Sequence, residues 1–323
     1  MKYEQEAAWR VAFDAIRRAG ASEAVAHSLA DAVISAELAG SKAVGFAHLP
    51  DYLDGFVIGR IAADAEPDVS FPALAAIRAD ARGGIAQLAY DRVFDELVGR
   101  SNTYGVVTLA VSNSFTVGEL GYYTRRLAER GLVALGTCNA TAQMTTLESG
   151  KAVYGTNPVS FAAPVANARP FVIDQASSAT AFVSVRKAAE AGEAIPEGWA
   201  VDEHGRPTTD ARAAINGLLL PFGGARGANL AMMMEILAAG VTGGNWSMDA
   251  PHYAKGSESP GVGLFVVAVK ADVFAADFAA RLAAQIDRLS KAGVRIPGSH
   301  IKVREIDVAD DVMNNVRSFG MRG

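Results

Sequence analysis

The sequence predicts an α/β fold behind a helical N-terminal segment, and three observations carry that expectation. From residue 73 onward, short β-rich runs alternate with amphipathic stretches of helical length. Before that point the apolar residues recur at helical spacing. Half of the 323 residues are apolar and a fifth are charged, enough to bury one or two sizeable cores without disulfides or metals.

The elements follow in order. Residues 3–18 form a helix with Trp9, Ala12, Phe13 and Ile16 on one face, stopped by Gly20. Ser22 occupies an N-cap position for a second helix reaching residue 38 and ending at Gly40. Residues 49–58 are amphipathic, with Pro50 suited to a first helical turn, and Pro67 and Pro72 mark a loop. A strand is expected over 74–79 and a helix over 82–104, with Ile85, Leu88, Val93 and Leu97 inward. Another strand follows at 105–111, a helix at 117–130 and a strand at 132–138. Residues 140–221 are turn-rich, interrupted by a helix over 178–191. The stretch 228–240 is apolar nearly all round, which predicts a deeply buried helix. A strand at 263–269, a helix at 273–292 and a terminal helix from 308 complete the chain.

The net charge of -5 and the lack of Lys/Arg clusters speak against nucleic acid or an anionic membrane as partner. Cys138 is the only cysteine, which excludes an internal disulfide and a cysteine zinc site. Glu4, Glu6, Arg10, Asp14 and Arg17 at helical spacing are unlike a signal peptide. No apolar run reaches the roughly 20 residues of a membrane span; the nearest, 230–244, is broken by Glu235. The cytoplasm is the expected compartment.

Several residues could carry chemistry. The five histidines, His27, His48, His204, His252 and His300, include no i,i+3 or i,i+4 pair, so no metal site is expected. His48, between Gly45 and Pro50 at a break between helices, is a candidate acid/base. Asp174, after Phe171-Val172-Ile173, reads either as a helix cap or as an active-site carboxylate. Residues 113–119 follow a strand and open a helix, where α/β folds place ligand loops, although Ser114 and Thr116 are also ordinary caps. No Gly-x-Gly-x-x-Gly fingerprint fits. The run Gly223-Gly224-Ala225-Arg226-Gly227 reads either as an anion site at a helix mouth or as a plain turn.

Five ordered motifs carry a resemblance over nearly the whole chain. They are Tyr154-Gly155-Thr156-Asn157-Pro158 with Phe161-Ala162-Ala163-Pro164; Ile173-Asp174-Gln175-Ala176-Ser177-Ser178; Pro196-Glu197-Gly198-Trp199-Ala200; Gly205-Arg206-Pro207-Thr208-Thr209-Asp210; and Pro221-Phe222-Gly223-Gly224-Ala225-Arg226-Gly227. Together they resemble the type-2 malate/L-lactate dehydrogenase family. Phe222-Gly223-Gly224 and Val241-Thr242-Gly243 look closest to its Δ1-piperideine-2-carboxylate/Δ1-pyrroline-2-carboxylate reductase branch.

The resemblance implies a non-Rossmann, mixed-sheet α/β fold and a homodimer with sites near the subunit interface. It also implies NADPH or NADH as cofactor and a small 2-imino or 2-oxo acid as substrate. Cyclic imine reduction is the activity it favours. A malate, lactate or ureidoglycolate type of dehydrogenase and a non-catalytic nucleotide binder are the alternatives. The implied organisation is a helical segment 1–72 packed with the C-terminal helix, an α/β lobe 73–139 joined by 262–300, a cofactor and substrate lobe 140–261, and a tail helix 301–323. By position, Thr116, Gly118, Glu119, Leu120, Asn139, Asp174, Gln175, Ala176, Arg226, Gly227, Arg295 and Gly298 are implied to hold the cofactor.

Departures from the family pattern shift the chemistry. Its usual Ser-His-Gly reads Ala43-Val44-Gly45, its following arginine is His48, and its proton-accepting loop histidine is Thr116. Proton transfer is therefore expected at His48, with Lys42 or Thr116 assisting and Asp174 retained. A protonated iminium substrate would need less acid catalysis.

Overall fold

A computed structural model describes residues 2–298 and 305–320; His300 lies outside them. A seven-stranded mixed sheet organises the molecule. Its spatial order is Asp68–Ala73, Ala76–Asp80, Val106–Ser114, Val262–Val269, Val133–Cys138, Val159–Ala163 and Phe171–Gln175. Only the pairing of Ala76–Asp80 with Val106–Ser114 is parallel. The sheet is therefore mixed, as the family resemblance implies. The central strand Val262–Val269 comes from late in the chain, and two strands from the 140–261 stretch extend the same sheet.

Helices Ala86–Tyr104 and Gly121–Glu129 cover the sheet, their Tyr90, Val93, Leu97, Tyr123 and Leu127 packing with Val107, Leu109 and Val266 in one core. A second core joins the N-terminal helices Gln5–Arg18, Glu23–Leu38 and Leu49–Val57 to the C-terminal helix Asp310–Ser318, through Ile16, Leu29, Leu53, Met313 and Val316. Ser22 caps the second helix by accepting from the Val25 N–H at 3.3 Å, and Pro50 sits in the first turn of the third.

Three expectations need correction. Pro72 lies inside a strand rather than a loop. That strand is the sheet edge, where a proline costs no ladder bond. A two-residue strand, Lys2–Tyr3, pairs with Ile306–Asp307 and leaves no periodic signal. The apolar stretch after residue 224 forms helix Ala225–Glu235 and a π-type turn Ile236–Val241, but it is not deeply buried. Met233, Ile236 and Val241 are each at least half exposed, and Gly227, Ala231, Met234, Ala238 and Ala239 face inward with Glu235.

The family-like run at Tyr154–Pro158 is structural. Gly155 lacks room for a side chain, since a Cβ would lie 2.6 Å from the Ala140 carbonyl. Fully buried Asn157 donates to Glu235 at 2.6 Å and to the Ala231 carbonyl at 3.1 Å. Glu235 also accepts from the Ser247 N–H and hydroxyl, each at 2.6 Å. A buried carboxylate is tolerable only when so supplied with donors.

Candidate active site

A cavity of about 380 Å³ opens where the 115–120 loop meets residues 41–48 and the carboxyl ends of strands Val133–Cys138 and Phe171–Gln175. His48, Thr116, Gly118, Glu119, Leu120, Asn139, Asp174, Gln175 and Ala176 all line it. So does Val44, the counterpart of a family histidine. Its size is that of a small-molecule site.

His48 is the N-cap residue of helix Leu49–Val57, so its ring projects from a helix start beside the 115–120 loop. Asp51, three residues on, faces Nδ1 at 2.8 Å, and the Thr116 hydroxyl faces Nε2 at 3.0 Å. Thr116 Oγ1 lies 2.8 Å from the Tyr52 hydroxyl, which donates to the Thr116 carbonyl at 2.9 Å and accepts from Gln87 at 3.2 Å. When Thr116 donates to Tyr52, both imidazole nitrogens face acceptors, and a doubly protonated ring satisfies both. Rotation of the Thr116 hydroxyl toward Nε2 satisfies the ring after it loses that proton. The ring can therefore give up a proton without stranding a buried group. Burial pushes the Tyr52 phenol up to about 12, so it stays neutral and acts as the fixed end of the chain.

Two carboxyls occupy the opposite wall. Glu119 is almost wholly buried, and Arg125 donates to its Oε2 at 2.7 Å and to Ser35 at 2.8 Å. Burial raises its carboxyl to about 7, against the lowering pull of Arg125. Asp174 keeps an exposed surface, yet loss of hydration on its protein side raises its carboxyl, opposed by the Gly121 N–H and Arg125. Asp174 Oδ2 accepts from that N–H at 2.7 Å, so it caps helix Gly121–Glu129 and lines the cavity at once. Asp174 is thus a helix cap that also faces the cavity. A Cβ on Gly121 would sit 2.9 Å from Glu119 Oε1 and 3.2 Å from Asp174 Oδ2, so glycine permits the two carboxyls to converge.

Other expected residues lie elsewhere. Lys42 is not at the cavity; its ammonium donates to the Asp307 carbonyl at 2.7 Å, tying it to the C-terminal strand. Arg226 and Arg295 are exposed outside the cavity wall. Gly227 is buried, and a Cβ there would lie 2.1 Å from the Phe222 carbonyl, so it serves the tight helix entry. Asn139 lines the cavity with its amide already engaged, donating to the Asn245 carbonyl at 2.8 Å and accepting from the Gly263 N–H at 3.0 Å. Gly298 borders a larger cavity of about 670 Å³, with Ser35, Arg125, Arg169 and Val172. Arg125 links the two cavities, bonding Ser35 in the larger and Glu119 in the smaller. No group of acids, histidines and cysteine suited to a metal occurs among the described residues.

Sequence reasoning missed Asp51, Tyr52, Gln87, Arg125 and Tyr253. The i,i+3 spacing of His48 and Asp51 on one helix was a usable signal for the first. Gln87, Arg125 and Tyr253 converge only through the tertiary fold.

Fold and cavity define a class: a non-Rossmann α/β protein that gathers an acid-oriented imidazole and two carboxyls around one small-molecule site. The model of the malate/L-lactate dehydrogenase family matches residues 3–305. The Δ1-pyrroline-2-carboxylate/Δ1-piperideine-2-carboxylate reductase of Pseudomonas putida is 37% identical over 300 residues, 91% of this chain and 87% of that protein. A (2R)-3-sulfolactate dehydrogenase (NADP(+)) of Chromohalobacter salexigens is 36% identical over 319 residues, 96% of each chain. The crystal structure of Δ1-piperideine-2-carboxylate reductase from Pseudomonas syringae pv. tomato superposes with a TM-score of 0.93 at 32% identity, covering 99% of both chains. The chain belongs to the malate/L-lactate dehydrogenase family of oxidoreductases.

Proposed function

We propose that the chain reduces a small cyclic 2-imino acid, of the Δ1-pyrroline-2-carboxylate or Δ1-piperideine-2-carboxylate kind, with NADPH as the preferred hydride source. The carrying observation is the charge of the cavity. Among its lining side chains His48 is the one that can become a cation, Asp174 is an acid bonded to the Gly121 N–H, and Glu119 is an acid whose charge Arg125 already offsets. An iminium carboxylate offers a positive ring nitrogen to those acids and a single carboxylate to the His48 side. Sulfonated or dicarboxylic 2-oxo acids bring two anionic groups and no cation. Overall similarity does not separate these classes, because the two relatives are 37% and 36% identical; the cavity charge supports the cyclic imino acid.

The residues fit a nicotinamide dinucleotide. Two cavities of about 380 and 670 Å³ meet at the Glu119–Arg125 pair, which gives separate room for the two halves of a dinucleotide. Thr116, Gly118, Glu119, Leu120 and Asp174 would border the nicotinamide half, with Arg125, Arg169 and Gly298 along the other. When bound, the reduced cofactor supplies the hydride.

The chain's own residues then manage charge and protons. Asp174 holds the positive end of an iminium substrate, and Asp51 keeps the His48 ring oriented. A neutral imine has no charge to draw its nitrogen to the acids and turns it to His48, whose Nε2–H delivers the one proton needed directly or across the Thr116 hydroxyl. An iminium brings that proton with it, and His48 then serves to hold the carboxylate.

The exposed apolar face of Met233, Ile236, Val241, Trp246 and Met248 supports a homodimer. No described helix is long and apolar enough to cross a membrane, and the cytoplasm is the compartment this reading implies. Absorbance loss of NADPH and NADH with Δ1-pyrroline-2-carboxylate, Δ1-piperideine-2-carboxylate, pyruvate and oxaloacetate tests the activity. Turnover with the cyclic imino acids supports it; cofactor binding with no turnover on any substrate would make the chain a nucleotide binder.

A further inference from the structure

The strap of residues 251–261 contributes Tyr253 and Pro260 to the cavity wall and is tied down along its length. Thr141 donates to the Pro251 carbonyl at 2.7 Å, and Asn245 donates to the Pro260 carbonyl at 3.0 Å. Between these anchors Arg60 is only 6% exposed and spends its guanidinium on the strap. Nε and one terminal nitrogen donate to the Gly256 carbonyl at 3.0 and 2.6 Å, and the other donates to the Tyr253 carbonyl at 2.5 Å. Burying an arginine that serves carbonyls alone costs desolvation, which the fixed position of residues 253–256 must offset.

What that position delivers is an aromatic wall. Tyr253 lines the cavity and stacks on His252, with ring centroids 4.9 Å apart and planes at 20°. Its ring meets His48 edge to face at 5.2 Å and 80°. His48 begins helix Leu49–Val57 and Arg60 follows its end, so one short segment sets both the imidazole and the tyrosine.

We propose that Tyr253 is a specificity-determining residue, its ring serving as a wall that favours a five- or six-membered ring over an open-chain acid, with Arg60 as its positioning residue. The proposal rests on the cyclic imino acid reading and sharpens it. A ring flattened by its C=N bond offers a broad face to pack against tyrosine, and an open-chain 2-oxo acid offers little more than its edge. Such a contact adds selectivity of about fivefold.

The test needs no turnover, so it is separate from the activity assay. Calorimetry with NADPH present measures dissociation constants for picolinate, a flat ring acid that is not reduced, and for oxamate, an open-chain 2-oxo-acid mimic. The wild-type protein is expected to prefer picolinate. Tyr253→Ala and Tyr253→Leu should each weaken picolinate about fivefold and leave oxamate within twofold. Tyr253→Phe should keep the preference, and Arg60→Gln should lose it as the alanine variant does. No preference in the wild-type protein, or equal changes for both acids in the Tyr253 variants, would overturn the proposal. Failure to reduce Δ1-piperideine-2-carboxylate, with the picolinate preference intact, would overturn the proposed activity instead.

Discussion

His48 is held from both sides, by Asp51 at 2.8 Å and by Thr116 at 3.0 Å. Because the oriented ring holds the carboxylate of an iminium substrate, His48→Ala should raise KM for the cyclic imino acid about tenfold while the Kd for NADPH stays near wild type. Steady-state kinetics with a cofactor titration checks this, and a fully active variant would remove His48 from the chemistry. Glu119 gives a prediction of a different kind. Its carboxyl titrates near 7 in the folded protein against an ordinary 4.5, so the folded state holds that proton longer than the unfolded chain does. Raising pH through this window therefore costs folded stability, on the order of 3 kcal/mol in total. Glu119→Gln removes the titration. The melting temperature of the variant minus that of wild type should become more positive between pH 5 and pH 8, and a constant difference would contradict the assigned shift.

Helix Gly121–Glu129 carries the next level of the account, because its first N–H holds Asp174 while its Arg125 holds Glu119. Gly121→Ala puts a methyl 2.9 Å from Glu119 Oε1 and 3.2 Å from Asp174 Oδ2. It should raise KM for the cyclic imino acid about tenfold, with the melting temperature little changed, since alanine favours the helix itself. Gly227→Ala tests the other glycine-rich turn. Its Cβ would lie 2.1 Å from a backbone carbonyl, so loss of stability rather than loss of cofactor affinity is expected, read by thermal unfolding. Elements with strong periodicity were legible in the sequence: Glu23–Leu38 with its Ser22 cap, Val133–Cys138 and Val262–Val269 all fall where apolar spacing and caps place them. The edge strand holding Pro72 was not, because Pro67 and Pro72 read as a loop, and the pair Lys2–Tyr3 with Ile306–Asp307 was not, because pairing with a distant partner leaves no local pattern.

At the scale of the whole molecule, the site assembles from six stretches far apart in sequence, around residues 41–48, 116–120, 138–141, 156–158, 174–181 and 253–262. The positions of His48, Thr116 and Asp174 could be read from motifs and their departures from the family pattern. That Lys42 turns to Asp307, and that Asn139 spends its amide on Asn245 and Gly263, follows from three-dimensional packing that spacing does not encode. Helix Ala225–Glu235 shows the same limit: an apolar pattern signals burial but does not say against what. A second copy of the chain is the partner proposed for this face. Ile236→Glu should shift the protein from dimer to monomer in sedimentation velocity, and a wild-type monomer would contradict the assignment. The cavity's charge, with acids at 119 and 174 facing a lone imidazole, remains the main link from structure to substrate. Its most direct test is the ratio of kcat/KM for Δ1-piperideine-2-carboxylate to that for 3-sulfopyruvate, measured with NADPH. The account predicts a ratio of at least about 10², since two anionic groups would face a site with one available cation. A ratio near one, or one favouring the sulfonate, would contradict it.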